Sequence, residues 1–314
     1  MTIAGLTALE AIRQPITLIV SLILVAFISL LPVLVTHTLG ESDKLIRDSG
    51  LALQFTGGLL LGSFMACAAL THEIRRGTVA SVLAKPVGRE LFFLAKFAGV
   101  ALILLAFSLV CGMATLLSTR MVAESFIYDW WAGGPLLLAV PLACLLAGLK
   151  NYFLKKPFAS NALVTLAVLV AAAFIAAGFT DPQGHRVAFG LHYAWKIVPA
   201  VALIAMAILI LTGVAVSLAT RLDTVPTLAL CSIVFLIGLM SDYLLGRHAA
   251  VSPVAAVLYW IIPNFQHFWT TDALNGPGVI PWRYVAQAGV YAALYLAGVL
   301  GLGMLAFRHM EVRA

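Results

Sequence analysis

Charged residues are scarce in this chain. Lys, Arg, Asp and Glu make up 10% of its 314 residues, whereas apolar residues make up 62%. Soluble domains average about 25% charged residues. The mean hydropathy of +1.05 agrees with this bias, and the apolar runs are long enough to cross a hydrocarbon core of roughly 30 Å. The composition therefore excludes an ordinary soluble fold and predicts an integral membrane protein.

Cysteine is also scarce, and no Cys-x-x-Cys spacing occurs. The four cysteines each lie inside an apolar run, which predicts small apolar side chains within helices rather than a disulfide framework or a metal site; they are Cys67, Cys111, Cys144 and Cys231. Several histidines fall in predicted external loops, namely His37, His185, His192, His248 and His267. Because their spacing matches no compact ligand pattern, we predict no metal site.

Nucleotide-binding and catalytic patterns are missing as well. No Gly-x-x-x-x-Gly-Lys-[Ser/Thr] occurs, so the chain has no phosphate-binding loop of its own. The run from His72 to Arg76 is not a His-Glu-x-x-His zinc site, and no Gly-x-Ser-x-Gly is present. The chain is therefore predicted not to be an enzyme and to hold no cofactor itself.

Acidic residues are missing from the centres of the predicted spans, since all 13 fall at span ends or in loops. A charge at the bilayer centre costs about 2.5–3.5 kcal/mol on insertion scales, and proton-coupled carriers keep one there because function requires it. This distribution disfavours an ion-driven carrier or an intramembrane enzyme. The net charge of +6 resides in loops between apolar runs, so we predict no nucleic-acid partner.

Basic residues are present at high density in one stretch, residues 72–96. It contains Arg75, Arg76, Lys85, Arg89 and Lys96 between two apolar runs. Positive charge between two spans is typical of the cytoplasmic side. From charge alone, this stretch is a solvated cytoplasmic loop.

The inner part of this stretch predicts a short amphipathic helix. Gly77 ends the preceding helix and Thr78 is a good N-cap. Pro86 stops the helix, and one face carries apolar residues at helical spacing, namely Val79, Val82 and Leu83. Such a helix lies on the membrane surface or docks onto a partner.

Three segments together resemble a known family. Glu73-x-x-x-Gly77-Thr78, Pro86-Val87-x-Arg89 and Ala95-Lys96 resemble the cytoplasmic loop of type-2 ABC exporter permeases, in which a Gly-Lys pair stands where this chain has Ala-Lys. The run from Glu10 through Arg13 to Pro15 resembles the N-terminal elbow helix of that family. The end of the chain resembles its C-terminal part, in Pro263-Asn264 through Phe268, in Trp282 and in Phe307-Arg308.

The resemblance implies a membrane-spanning permease subunit driven by a separate ABC ATP-binding subunit, which would hold ATP and Mg²⁺. It also implies a second copy of this permease or a similar one, and contact with membrane lipid. Loop 72–90 would couple the two subunits through Glu73, Arg75, Arg76, Gly77, Thr78, Val79, Val82, Leu83, Pro86 and Arg89. The alternative is a membrane-embedded structural or assembly subunit without transport of its own.

The whole chain, residues 1–314, is predicted to form a single transmembrane domain of a bacterial cytoplasmic membrane, with both termini cytoplasmic. Residues 1–15 would be an interfacial elbow helix, and 247–283 an external loop in which Pro253 to Ile262 dips into the outer leaflet. The eight predicted spans are 16–36, 51–71, 91–118, 134–149, 158–180, 197–219, 226–246 and 284–306. Alternatively, 134–180 is a re-entrant hairpin beside six spans.

Two further segments complete the prediction. Residues 119–133, with the pair Trp130-Trp131, are predicted as an external surface segment. Gly58 and Gly62 form a small-residue face that lets another helix approach closely. That face packs either within the subunit or between subunits.

Overall fold

A computed structural model describes residues 3–35, 41–75, 88–122, 128–249, 252–270, 273–274 and 278–308. Regular structure in these ranges is helical, apart from an isolated bridge between Thr180 and Arg186. Helices are expected because a chain in lipid has to satisfy its backbone hydrogen bonds internally. The predicted all-α polytopic membrane helix bundle is confirmed.

We number the longer helices in the order in which they follow one another along the chain. They are α1 (Ile3–Arg13), α2 (Pro15–Leu34), α3 (Ser42–Arg75), α4 (Arg89–Met121), α5 (Trp130–Leu154), α6 (Phe158–Gly178), α7 (Val198–Leu218), α8 (Thr224–Leu239), α9 (Pro253–Ile261) and α10 (Trp282–Arg308).

Within the described ranges, seven of these helices are long and apolar enough to cross a membrane: α2 to α7 and α10. The helix α8 is apolar but has only 16 residues, about 24 Å at 1.5 Å per residue. The predicted span 226–246 is interrupted at Met240, and a π-helical turn follows at Asp242–Gly246. The eighth predicted span is therefore shorter than expected.

The helices α3, α4 and α7 form the centre of the bundle, since each buries more than half of its most apolar segment. The outer helices α5, α6 and α10 bury a third or less. Their outward faces carry large exposed apolar side chains such as Leu138, Val168, Leu294 and Leu302. These faces form the surface that would contact lipid.

The small-residue face of α3 packs on α7 of the same chain. A Cβ atom at Gly58 would overlap the side chain of Ile208, and one at Gly62 would lie 2.6 Å from Thr212 Oγ1. The close approach made possible by these glycines is therefore an approach between two central helices of one subunit.

Two ends of the bundle are distinguished by their contacts. At the Lys96 end, named after that residue, Ile3 packs in a cluster that contains Phe93 and Phe307. The start of α1, the start of α4 and the end of α10 meet there. At the opposite Arg120 end, Arg120 contacts Asp129, which directly precedes α5.

The hairpin of α5 and α6 runs the full distance between these ends. Arg120 donates hydrogen bonds to the carbonyl oxygens of Ala177 and Thr180, which places the end of α6 at the Arg120 end. Leu18, Ala147 and Ala162 form a small cluster, which places the end of α5 beside the start of α2. Residues 134–180 therefore form two full-length helices and not a re-entrant pair.

Several predicted boundaries are wrong because charged residues extend the helices beyond the apolar runs. The helix α3 begins at Ser42, between the predicted spans 16–36 and 51–71, where a loop is expected. Arg47 is buried there with a hydrogen bond of 3.1 Å to Leu274 O. The predicted short span 134–149 is part of the 25-residue helix α5, in which Pro135 and Pro141 are interior. Prolines are tolerated in membrane helices where neighbouring groups satisfy the freed carbonyls.

Candidate functional site

The helix α1 lies across the Lys96 end in close contact with α4. A Cβ atom at Gly99 would lie 2.6 Å from the carbonyl oxygen of Ala4 and 2.7 Å from Thr7 Cβ. The absence of a side chain at Gly99 therefore lets the backbone of α1 rest directly on α4. Ile12, near the other end of α1, lies beside α2 and α6.

An ion pair fixes the same contact one turn earlier on α4. Lys96 Nζ lies 3.7 Å from Glu10 Oε2 and 5.5 Å from the ring centroid of Phe92. The Lys96 side chain is 5% exposed, whereas that of Glu10 is 59% exposed. Lysine is rarely fully buried without a partner, so the pair accounts for the position of Lys96 inside the bundle.

The end of α10 joins this region through aromatic packing. Phe307 lies between Phe92 and Phe93, with ring centroids 6.2 Å and 6.0 Å away. Arg89, at the start of α4, donates a 3.1 Å hydrogen bond to the carbonyl oxygen of Arg308. The last turn of α10 is thus attached to the first turn of α4.

The turn between α7 and α8 joins the same region from the other side. Thr71, near the end of α3, donates its hydroxyl to Ala219 O at 2.9 Å and to Leu222 O at 3.3 Å. The helices α1, α3, α4, α7 and α10 therefore meet around the end of α3 and the start of α4. We call this set of contacts the platform.

The predicted coupling residues divide into three groups. Glu73 and Arg75 lie in the last turn of α3, although their side chains are outside the described structure. Arg89 begins α4 and contacts the platform. The others fall outside the described residues: Arg76, Gly77, Thr78, Val79, Val82, Leu83 and Pro86. The amphipathic coupling helix stays a prediction.

Comparison of the chain with protein-family models, with curated proteins and with solved structures gives no match.

The sequence did not reveal the buried charge cluster at the Arg120 end. Arg120 and Asp129 are ion-paired at 2.8 Å with side chains 2% and 3% exposed, although segment 119–133 is predicted as a surface. Arg120 also stacks over the ring of Tyr193, 5.5 Å from its centroid. Burial raises the pKa of Tyr193 to about 12, so its hydroxyl remains protonated and donates to Phe174 O. Arg120 of α4 donates hydrogen bonds to Asp129, which precedes α5, and to carbonyl oxygens at the end of α6. The cluster therefore joins the ends of these three helices.

A second polar cluster follows the break after α8. Asp242 Oδ1 accepts hydrogen bonds from Tyr259 Oη and Asn264 Nδ2, both at 2.9 Å. The backbone N–H of Asn264 donates to the hydroxyl of Tyr291 on α10, and the hydroxyl of Tyr295 donates to Ile261 O. These bonds hold α9 and its exit against α10. In the sequence, Pro263-Asn264 resembles part of a C-terminal motif. The sequence gave no indication that Asn264 is hydrogen-bonded to Asp242.

No group of three His, Cys, Asp or Glu residues in the described ranges is arranged to hold a metal ion. His185 Nδ1 instead lies 3.2 Å from Asp181 Oδ2 in the loop after α6. Desolvation acts to raise the pKa of Asp181. The hydrogen bonds that it accepts from His185 and from the Gln183 backbone outweigh that effect and lower this pKa. The pair stabilises a loop.

Proposed function

We propose that this chain is the membrane-spanning permease subunit of an ABC transporter, an exporter driven by a separate ATP-binding subunit that holds ATP and Mg²⁺. The observation that carries the proposal is the Glu10–Lys96 pair. Glu10 opens the segment that resembles an elbow helix, and Lys96 closes the segment that resembles a coupling loop. Two segments far apart in sequence, each resembling the same family, thus contact each other.

The position of the platform supports energy input from outside the membrane. Segment 76–87 connects α3 to α4, and these two helices are among the most buried of the bundle. A force applied to this segment would therefore act on central helices rather than on peripheral ones. Rigid-body movement of packed elements is a recognised route by which closure of one domain repositions another.

The docking contact would be made by the amphipathic helix of loop 72–90. Val79, Val82 and Leu83 would supply its apolar face. Glu73, Arg75 and Arg76 would supply its polar rim. Gly77 would allow the turn into the helix at little conformational cost. Two such permease halves, identical or similar, would pair with two ATP-binding subunits in the cytoplasmic membrane of a bacterium.

Two variants of the loop test this proposal: Val82→Asp and Glu73→Arg. We expect both proteins to insert and fold normally, to lose the ATP-binding subunit on affinity purification, and to lose ATP hydrolysis and transport together. A suitable control is Val225→Asp, since Val225 is an exposed residue at the start of α8 on the same end of the bundle. We expect the control variant to keep its ATP-binding subunit.

Retention of the ATP-binding subunit with normal ATP hydrolysis in both loop variants would contradict the proposal. Purification of the unmodified chain from its native membrane without any ATP-binding protein would favour the alternative, a structural or assembly subunit. Mass spectrometry of the purified material distinguishes these outcomes.

A further inference from the structure

An apolar cavity of about 140 Å³ lies between α2, α4 and α6, in the half of the bundle nearest the Lys96 end. One wall is formed by Thr17, Ser21 and Val25 of α2. These residues are spaced four apart on one face of the helix and extend over about 12 Å at 1.5 Å per residue. The cavity is therefore elongated along the helices.

The cavity opens towards the side of the bundle and not towards its aqueous end. Ala106 of α4 and Val164 of α6 line it and are exposed, whereas Leu61 of α3 lines it and is buried. Neighbouring residues of α4 such as Leu102 and Leu109 belong to the exposed apolar surface. An apolar cavity of roughly 150 Å³ stays dry and accepts an apolar guest. The guest that a bilayer supplies at such an opening is a lipid acyl chain.

A buried hydroxyl without a hydrogen-bond partner in the described part of the chain marks one end of the cavity. Thr17 is 2% exposed, and its Oγ1 atom has no hydrogen-bond partner among the described residues. A buried polar group without a partner is costly. Thr17 is the third residue of α2, so it lies close to the end of the span, where the glycerol ester groups of a surrounding phospholipid would lie. An ester carbonyl entering with the acyl chain would accept the hydrogen bond that Thr17 does not make within the protein.

Basic residues lie beyond Thr17 in the direction of the solvent. Arg13 ends α1 and is exposed. The packing of Leu18 with Ala147 brings the loop between α5 and α6 beside the start of α2. The last residues of α5 and the short connection after it, residues 150–157, carry Lys150, Lys155 and Lys156 and no acidic residue; we call this segment loop 150–157. Basic pockets between helices on one side of a membrane bind anionic headgroups.

We infer that this cavity binds one acyl chain of an anionic phospholipid. The chain occupies the cavity, the ester carbonyl accepts a hydrogen bond from Thr17 Oγ1, and the phosphate lies near Arg13 and the lysines of loop 150–157. The inference extends beyond the proposed function and does not depend on it, since a lipid bound here would accompany a transporter or a structural subunit equally.

Photolabelling with a phosphatidylglycerol that carries a diazirine on its acyl chain tests this site in the purified chain reconstituted into nanodiscs. We expect label on the cavity-lining residues of α2, α4 and α6. Ala167→Phe would fill the cavity, because Ala167 lines it, and is expected to reduce that label at least fivefold. Ala172→Phe is the matched control, because Ala172 is an exposed residue of α6 outside the cavity. If Ala167→Phe and Ala172→Phe were labelled equally, the cavity would not be the binding site of the acyl chain.

Thr17→Val is a second, nearly isosteric variant that keeps the cavity and removes the hydroxyl. The unmodified chain should prefer the ester-linked probe over an ether-linked analogue by about fivefold, the factor for a hydrogen bond of about 1 kcal/mol. Thr17→Val should abolish that preference.

A phosphatidylcholine probe should label the unmodified chain less than phosphatidylglycerol, and this difference should disappear in the double variant Lys155→Gln, Lys156→Gln. Equal labelling of the unmodified chain by both headgroups would overturn the anionic specificity, and equal ester and ether labelling would overturn the role of Thr17.

Discussion

Buried charges in this bundle lie at helix ends, where they join elements that are separated in sequence. Lys96 is paired with Glu10 at one end, and Arg120 with Asp129 at the other. Arg47 is buried beside Asp48 near the Arg120 end. A charge near a span end costs less than one at the bilayer centre. The Lys96–Glu10 and Arg120–Asp129 pairs, and the hydrogen bond from Arg47 to Leu274 O, supply contacts between separate elements. The charges therefore specify how the helices pack rather than a path for ions.

The first prediction concerns the Arg120 cluster. Arg120→Met should lower the free energy of unfolding by roughly 3–5 kcal/mol, because it leaves Asp129 buried without its counter-ion. It also removes the hydrogen bonds to Ala177 O and Thr180 O. Thermal or denaturant unfolding in detergent measures the effect. Arg221→Met, at an exposed residue of the α7–α8 turn, is the control and should change stability by less than 1 kcal/mol. Equal stability of the two variants would show that the pair is dispensable.

At the scale of elements, the docking of α1 distinguishes a fixed helix from one that only rests on the bilayer surface. The sequence of α1 is weakly amphipathic and would suit either position. The close approach at Gly99 and the pair of Glu10 with Lys96 attach it to α4. The second prediction follows from the difference between Gly99 and another helical glycine.

Gly99→Ala and Gly148→Ala should have opposite effects on stability. A Cβ atom at Gly99 meets the backbone of Ala4, whereas one at Gly148 meets nothing within 4 Å. Alanine favours a helix over glycine by about 1 kcal/mol, so Gly148→Ala should stabilise the protein. Overpacking costs about 1–3 kcal/mol, so Gly99→Ala should destabilise it and speed tryptic cleavage after Arg13. A faster cleavage in both variants, or in neither, would mean that α1 is not held by this contact.

The bounds of a helix were predictable from the sequence where the length of its apolar run alone determines them. The runs that became α2, α4, α6, α7 and α10 are predicted within a few residues, because about 20 apolar residues form a span whatever their partners. The ends of α3 and α5 were not predictable. Arg47 and Arg120 are accommodated inside the protein by partners distant in sequence, which are Leu274 O for Arg47 and the carbonyl oxygens of Ala177 and Thr180 for Arg120. A hydropathy pattern contains no information about such partners.

The region after α8 shows the same limit. An uninterrupted apolar run predicts one span over 226–246, yet the helix breaks at Met240 and continues as a π-helical turn. A Cβ atom at Gly238 would overlap the carbonyl oxygen of Pro263. Asp242 accepts hydrogen bonds from Tyr259 and Asn264. The returning segment therefore occupies the space beside the upper part of α8. π-helical turns are often found at functional sites, and this one supports the segment from α9 to α10.

At the scale of the whole molecule, the two ends of the bundle differ in their basic residues. Among exposed or half-buried residues, the Lys96 end carries Arg13, Arg89, Lys150, Lys155, Lys156, Arg221 and Arg308, and the Arg120 end carries Lys44, Arg186, Lys196, Arg247 and Arg283. The described chain starts and finishes at the Lys96 end. The positive-inside tendency predicts that this end faces the cytoplasm.

The last prediction tests this orientation together with the full-length hairpin of α5 and α6. Lys44 lies near the start of α3 at the Arg120 end, and Lys155 follows α5 at the Lys96 end. Lys44→Cys should react with a membrane-impermeant maleimide added to intact cells, whereas Lys155→Cys should react only after the cells are permeabilised. The unmodified chain is the control, because Cys67, Cys111 and Cys231 are buried and Cys144 lies in the interior of the span α5. Labelling of Lys155→Cys in intact cells would place loop 150–157 outside. If Lys44→Cys were then protected, the bundle would be inverted; if both reacted, α5 and α6 would not both cross the membrane.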